Sequence, residues 1–383
     1  MNPVCAERVL KLPHSGIRRM FDLALRYKDA IHLCIGEPDF ATPSFIVEAG
    51  FQAAKKGRTH YTPNAGFFSL REAVAEKYER EQGVSYDPES EILITVGAME
   101  ALALCMLSIV SPGDEVLIPD PCWPNYQAHV ILAGGKPVFV PVVEEEGWVM
   151  KMERMLPYLS TKTRAVIINS PNNPTGSVYK LHELEKIANL CKERNIFIIS
   201  DEAYEKIIYE GEYKSICSFP GLKSKTFVIN TFSKTYAMTG WRVGYILGPE
   251  EVIREMVKLQ EHIAACASSI SQEAALVALQ QGDQEVRKMV KEYRKRRDAL
   301  LEEIDKVPLF SCFPPRGTFY AFVNIKKTGE KSEDFALKLL EKARVVTVPG
   351  SSFGPGGEGY LRFSFATSVE NIKEAFHRIR SLI

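Results

Sequence analysis

Short runs of consecutive apolar residues alternate along this chain with longer stretches in which apolar side chains return every three or four positions. The runs Ile92–Val96, Glu115–Ile118, Pro137–Val143, Arg164–Asn169, Ile196–Ile199 and Phe227–Ile229 predict buried strands. Between them, Ala98–Val110 predicts a helix that is apolar almost all round and therefore buried, and Leu181–Arg194 predicts another. Earlier, Ser69–Arg80 has a helical pattern. Residues 14–30, with Ile17, Met20, Phe21, Leu23, Ala24 and Tyr27, predict an amphipathic helix beginning near Ser15. Repeated strand and helix imply a mostly parallel sheet with both faces covered.

Beyond Gly248 the pattern becomes helical. In Glu285–Lys306, Val286, Met289, Val290, Tyr293, Leu300, Leu301 and Ile304 share one side of a charged helix, which suits a long connector to a second domain. That domain is expected to pair a strand at Thr318–Ile325 with one at Arg344–Val348, against helices at 332–343 and 368–383. Thr367 and Glu370 form a capping-box pattern ahead of an apolar stripe of Val369, Ile372, Phe376, Ile379 and Ile383. The glycines of SSFGPGGEGY lack the strand-to-helix setting of a phosphate loop, so a flexible surface turn is expected there. In YLRFSFATS, alternation sets Arg362 on the face opposite Leu361, Phe363 and Phe365.

With 383 residues, 45% of them apolar, the chain can bury more than one core, and two domains are expected. Its 48 basic and 48 acidic residues cancel, which removes the electrostatic case for nucleic acid or an acidic membrane as partner. Eight cysteines without a C-x-x-C pair and seven histidines without ligand spacing indicate neither a metal site nor a disulfide framework. Reduced thiols fit a cytoplasmic protein. Met1–Met20 carries charges and Pro13 in place of an apolar signal core, and no run of about 18 apolar residues occurs, so neither export nor a membrane span is expected.

Candidate chemistry gathers in TFVINTFSKTYAMTGWRVGYILG, Thr226–Gly248. Lys234 follows a predicted buried strand, where open α/β sheets place ligands. A lysine amine can form a Schiff base with a carbonyl, and Thr231, Ser233 and Arg242 offer hydroxyls and a guanidinium fork for a phosphate. Lysine imine and phosphate clamp together suggest pyridoxal phosphate. Gly97, Ala98 and Met99 stand between a strand and a helix N-terminus, whose free N–H groups favour an anion. Asp201 ends a buried strand and needs a partner, which a pyridinium N–H would supply; Tyr204 is close enough in sequence to tune the same ring. Trp123 in PDPCWPNY suits either a place in the core or stacking on a flat heteroaromatic ring. Asn173 in SPNNPTG is re-aimed by a rigid turn and can donate to a phenolate oxygen.

The Ser-Lys pair with its Met-Thr-Gly-Trp-Arg sequel, together with GEPDF, YTP, NPTG and RFS in that order, resembles class I, fold-type I pyridoxal-phosphate-dependent aminotransferases of the aspartate and aromatic subgroup. The resemblance implies an α/β fold with a mostly parallel large-domain sheet, helices on both faces and a smaller α/β domain. It places a large cofactor domain at 40–285 and a small domain at 1–39 and 286–383. It also implies that Lys234 carries the cofactor, that Asn173 holds its O3′, and that Gly36 and Arg362 meet the substrate carboxylate. A homodimer follows, in which Tyr61 reaches the cofactor phosphate of the neighbouring subunit. Some aspartate-preferring members of the subgroup carry a lysine where this chain has Met99. An apolar residue there favours neutral or aromatic amino donors, with a 2-oxo acid such as 2-oxoglutarate as acceptor. The alternatives are an aspartate aminotransferase, a lyase of the same fold and cofactor, and a cofactor-binding regulator.

Overall fold

A computed structural model describes residues 4–13 and 16–383. After the short strand β1 (Ile31–His32), seven strands build the main sheet: β2 (Ile92–Thr95), β3 (Glu115–Asp120), β4 (Lys136–Pro141), β5 (Thr163–Asn169), β6 (Phe197–Asp201), β7 (Thr226–Thr231) and β8 (Gly244–Leu247). Their order is β2-β8-β7-β6-β5-β3-β4, and β8 alone in this sheet runs against its neighbours. Each apolar run has two faces to bury. Ile167, Ile199 and Ile229 face one core with the helix Gly97–Ile109, while Val166, Ile168, Ile198 and Val228 face the other with Leu184, Ile187 and Cys191 of the helix Leu181–Arg194. Burial of each such side chain contributes roughly 1.5–3 kcal/mol. The consequence for function is that the polar residues ending these strands emerge together at one edge.

The second sheet comes from β9 (Ser311–Cys312), β10 (Tyr320–Asn324), β12 (Val348–Pro349) and β13 (Tyr360–Ser364), antiparallel in the order β12-β13-β10-β9; β11 (Val345–Val346) pairs in parallel with β1 instead. The expected pairing of Thr318–Ile325 with Arg344–Val348 therefore does not form. Every residue of β13 is buried, and a strand buried on both faces takes the central place between the other two. The second run also divides around the buried Thr347, with β11 going to one sheet and β12 to the other.

Most of the longer helices follow the periodicity. The long helix spans Asp283–Asp305 and buries Val286, Met289, Tyr293, Leu300 and Ile304. The N-terminal amphipathic helix spans Gly16–Ala24; its expected start at Ser15 lies outside the described residues, and it stops short of the expected 30, the chain turning off through Tyr27 N donating to Ala24 O. Two further expectations are corrected. The final helix, Val369–Leu382, is capped by Ser368, whose side chain accepts from Asn371 N at 3.1 Å; Thr367 Oγ1 accepts from Asn371 Nδ2 instead. The extended backbone of Ser368 places the cap one residue later than the Thr367–Glu370 pattern, and Ile383 stays 40% exposed, outside the stripe. The glycine-rich SSFGPGG segment does lie at the surface, with Ser351, Pro355 and Gly356 exposed, but it is tied into two tight turns that bury Phe353 and Gly357. Among the described residues no helix is long and apolar enough to cross a membrane.

Candidate active site

Asn169, Asp201 and Thr231 end β5, β6 and β7, and the register sets Asn169 directly beside Asp201. A cavity of about 280 Å³ opens there. Gly36, Ala98, Met99, Trp123, Asn173, Asp201, Tyr204, Thr231, Ser233, Lys234, Arg242 and Arg362, all singled out from sequence, line it together. Gly97 lies just behind the wall: its φ is +75°, and a Cβ there would fall 2.6 Å from Arg242 Nη2. Tyr61 is not brought to this cavity and stands 89% exposed. An outer chamber of about 430 Å³ shares Lys234 and Trp123 and adds Arg18, Phe21, Ile35, Glu37 and Thr239. A larger groove of about 640 Å³, bordered by Glu146, Lys151, Arg154 and Lys186, shares none of these residues and gathers no comparable set of reactive groups.

The amine of Lys234 donates to Gly36 O across 2.6 Å. Removal from water disfavours its charged form and lowers its pKa to about 8; the nearby guanidinium groups of Arg362 and Arg242 act the same way, against Glu37 and Asp201. A lysine so placed has an accessible neutral amine near physiological pH, as a nucleophile or proton acceptor requires. Asp201 is buried, and burial raises its pKa. Tyr126 OH donates to its Oδ2 at 2.6 Å and Ala203 N to its Oδ1 at 3.1 Å, which favours the carboxylate and offsets part of that cost. Tyr126 was not apparent among the sequence candidates, although it lies on the helix Asn125–Leu132 just after Trp123, edge-on to that indole at 5.5 Å.

Groups suited to hold an anion line the same cavity. Thr231 caps the short turn Phe232–Thr235 by accepting from Ser233 N, and its hydroxyl lies 2.9 Å from Ser233 Oγ. Arg242, with φ +52°, donates to Thr239 O at 2.9 Å and leans on the glycine start of the helix Gly97–Ile109. First-turn N–H groups, two hydroxyls and a guanidinium thus suit a phosphate.

Arg362 is 1% exposed, so it is no surface arginine. Its Nη1 donates to Asn173 Oδ1 at 3.0 Å and its Nη2 to Cys34 O at 2.8 Å, while Nε is buried without a partner. Tyr320 and Phe353 place their rings 4.3 and 5.0 Å from the guanidinium carbon. Tyr320 also reaches Tyr204, hydroxyl to hydroxyl, at 3.0 Å. No local sequence signal marked Tyr320 or Phe353, since both matter only through contacts with distant residues. A Cβ at Gly36 would lie 3.1 Å from Tyr320 OH, so glycine keeps this corner open.

An amine, a buried carboxylate, an anion clamp and an aromatic wall around one cavity fit pyridoxal phosphate. The family description "Aminotransferase class I and II" matches residues 28–379. The chain belongs to this family. It is similar to aromatic-amino-acid aminotransferase 2 of Thermococcus litoralis, 43% identical over 99% of this chain and 98% of that one. It is likewise similar to the aspartate aminotransferase of Pyrococcus abyssi, 44% identical over 96% of this chain and 95% of the relative. Among solved structures, the aspartate aminotransferase from Thermus thermophilus with maleate superposes with a TM-score of 0.95, at 38% identity and complete coverage of both chains. The protein is an aminotransferase of fold type I, a family that uses pyridoxal phosphate and exchanges amino groups between amino acids and 2-oxo acids.

Proposed function

We propose that the transfer takes place in the cavity at the strand ends, with a neutral or aromatic L-amino acid as donor and a 2-oxo acid such as 2-oxoglutarate as acceptor. The observation that carries this reading is the opening of Lys234, Asp201 and Arg362 into one cavity. Lys234 would hold pyridoxal phosphate through its amine, and Asp201 would keep the ring nitrogen protonated. Trp123 would stack on the ring, with Tyr204 and Asn173 at its phenolic oxygen. Thr231, Ser233, Arg242 and the turn Gly97-Ala98-Met99 would hold the phosphate. When bound, the cofactor supplies an electron sink for the pair left at the substrate Cα. Arg362 and Gly36 bind and orient the substrate carboxylate, since a guanidinium fork matches it with two parallel hydrogen bonds. Lys234, whose amine has its pKa lowered to about 8, would serve as the base that accepts and holds the substrate Cα proton.

Relatives named for aromatic amino acids and for aspartate are similar to this chain to nearly the same degree, so the side-chain pocket must discriminate. Met99 and Ile17 on the inner wall, with Ile35 and Phe21 outside, offer no charge to a second carboxylate, whose unpaired burial costs several kcal/mol. Aspartate as donor is the second reading, favoured by Arg18 in the outer chamber.

The same reading makes the protein a homodimer, with the exposed Tyr61 reaching the neighbouring subunit's phosphate site. It divides the chain into a large lobe at 40–285 and a small lobe from both termini, supported by the β1–β11 pairing. The eight unpaired thiols suit a reducing, cytoplasmic compartment. The test is a half-reaction. Amino acid alone should bleach the bound-cofactor absorbance and a 2-oxo acid should restore it, whereas release of ammonia without an acceptor would indicate a lyase. Lys234→Ala should abolish the bound-cofactor band and nearly all turnover. An unchanged spectrum in that variant defeats the assignment, and faster reaction with aspartate than with phenylalanine, tyrosine, methionine or alanine selects the second reading.

A further inference from the structure

A segment with no part in the proposed chemistry ties two walls of the cavity together. Between β12 and β13 the chain makes two consecutive tight turns, Gly350–Phe353 and Pro355–Gly357. Gly356 N–H approaches both carboxylate oxygens of Asp120 at 3.0 Å, and Cys122 N donates to Phe353 O at 2.8 Å. Asp120 ends β3 and leads directly into Trp123; Phe353, on the strap, lies beside the Arg362 guanidinium at 5.0 Å.

The fit between Asp120 and the strap leaves no room for side chains. A Cβ on Gly354, which has φ +120°, would lie 2.2 Å from Asp120 Oδ1, and one on Gly356 would lie 2.9 Å from Asp120 O. These glycines therefore serve close packing against a carboxylate. Asp120 is 5% exposed, and burial pushes its pKa up to about 6, a cost that the Gly356 N–H partly offsets. Near neutral pH it is the ionised acceptor of a charge-assisted bond, stronger than the neutral bond an amide would accept. The groups facing it are that N–H and the Cys122 thiol, whose own pKa is raised by burial and, secondarily, by Asp120.

We infer that Asp120 is a positioning residue: by pinning the 350–357 strap to the end of β3, it fixes the Phe353 ring under Arg362 and so sets Arg362 relative to Trp123. The inference rests on the reading of Arg362 as the substrate-carboxylate group and Trp123 as the cofactor plate. With the strap released, Arg362 keeps its bonds to Asn173 and Cys34 but loses one side of its aromatic seat. Substrate binding then suffers more than the chemical step.

The experiment uses the holoenzyme, with steady-state kinetics on its best amino donor and the bound-cofactor absorbance recorded for each variant. Asp120→Ala is expected to raise KM about tenfold, the scale of one hydrogen bond to a charged group. Its kcat should stay within about threefold, its absorbance should be unchanged, and Asp120→Asn, which keeps an acceptor oxygen but not the charge, should recover part of the loss. Phe353→Leu should raise KM in the same manner, and it decides the matter if Asp120→Ala does not fold. An unchanged KM in folded Asp120→Ala or in Phe353→Leu overturns the inference, as does an equal loss of kcat, absorbance and thermal stability in Asp120→Ala and Asp120→Asn. Arg362→Lys separates the two levels. If it raises KM while the Asp120 and Phe353 variants do not, the positioning role alone fails; if it leaves KM unchanged, the reading of Arg362 fails and the inference with it.

Discussion

Tyr126 donates its phenolic hydrogen to Oδ2 of Asp201 across 2.6 Å, linking the helix that follows Trp123 to the end of the central strand β6. Because Asp201 is buried, this bond helps keep it a carboxylate against the upward pull of desolvation. Tyr126→Phe should therefore raise the Asp201 pKa further and weaken its hold on a ring N–H. A bond to a charged group contributes about 1.5–3 kcal/mol, so cofactor affinity or kcat should fall at least about tenfold. Equilibrium dialysis and turnover measure both, and wild-type values for the two would refute this role.

The depressed pKa of Lys234 has two consequences that can be measured on the cofactor-free protein. The neutral amine is the nucleophile, so the rate of capturing pyridoxal phosphate should rise with pH to an inflection near 8, well below the usual lysine value of 10.5. For stability, the unfolded chain holds this proton up to its higher pKa while the folded chain has lost it. Stability should therefore increase as pH rises from about 8 to 10.5, with the full penalty present below 8. In Lys234→Ala this contribution to the slope of Tm against pH should vanish; an identical slope would contradict it.

Gly97→Ala tests the anion end of the cavity. The substitution forces an L side chain to φ +75° and drives its Cβ to 2.6 Å from Arg242 Nη2, so Arg242 must move. The Kd for pyridoxal phosphate should rise about tenfold or more, with a much smaller change for pyridoxal, which lacks the phosphate. Equal weakening of both ligands would place the phosphate elsewhere.

Met99→Lys tests donor choice. Met99 Sδ lies 3.4 Å from Asn125 Nδ2 on the inner wall, and a lysine there would bring a cation into the side-chain pocket. The kcat/KM for aspartate should increase by on the order of tenfold relative to that for phenylalanine. No change in that ratio would show that position 99 does not read the donor side chain.

Much of this architecture was legible before any coordinates, for reasons that differ between elements. Leu181–Arg194 was bounded to the residue, because an amphipathic face repeats within a window of a few turns. The strand-end residues Asp201 and Thr231 were found because polar groups after a buried apolar run must emerge at a sheet edge. By contrast, the pairing of β13 between β10 and β12, the Ser368 cap and the packed SSFGPGG strap went against expectation, each depending on a neighbour that the local pattern does not specify.

Residue types, spacing and periodicity by themselves determined the mostly parallel sheet, the family resemblance and the set of candidate site residues centred on Lys234. Only the tertiary structure decided that Gly36, 198 positions away in sequence, accepts from Lys234, that Arg362 is buried against Asn173, Tyr320 and Phe353, and that Tyr126 reaches Asp201. The physical reason is range. Backbone propensity and side-chain periodicity act over a few residues, whereas a contact between distant segments exists only where the packing of whole elements closes the chain upon itself.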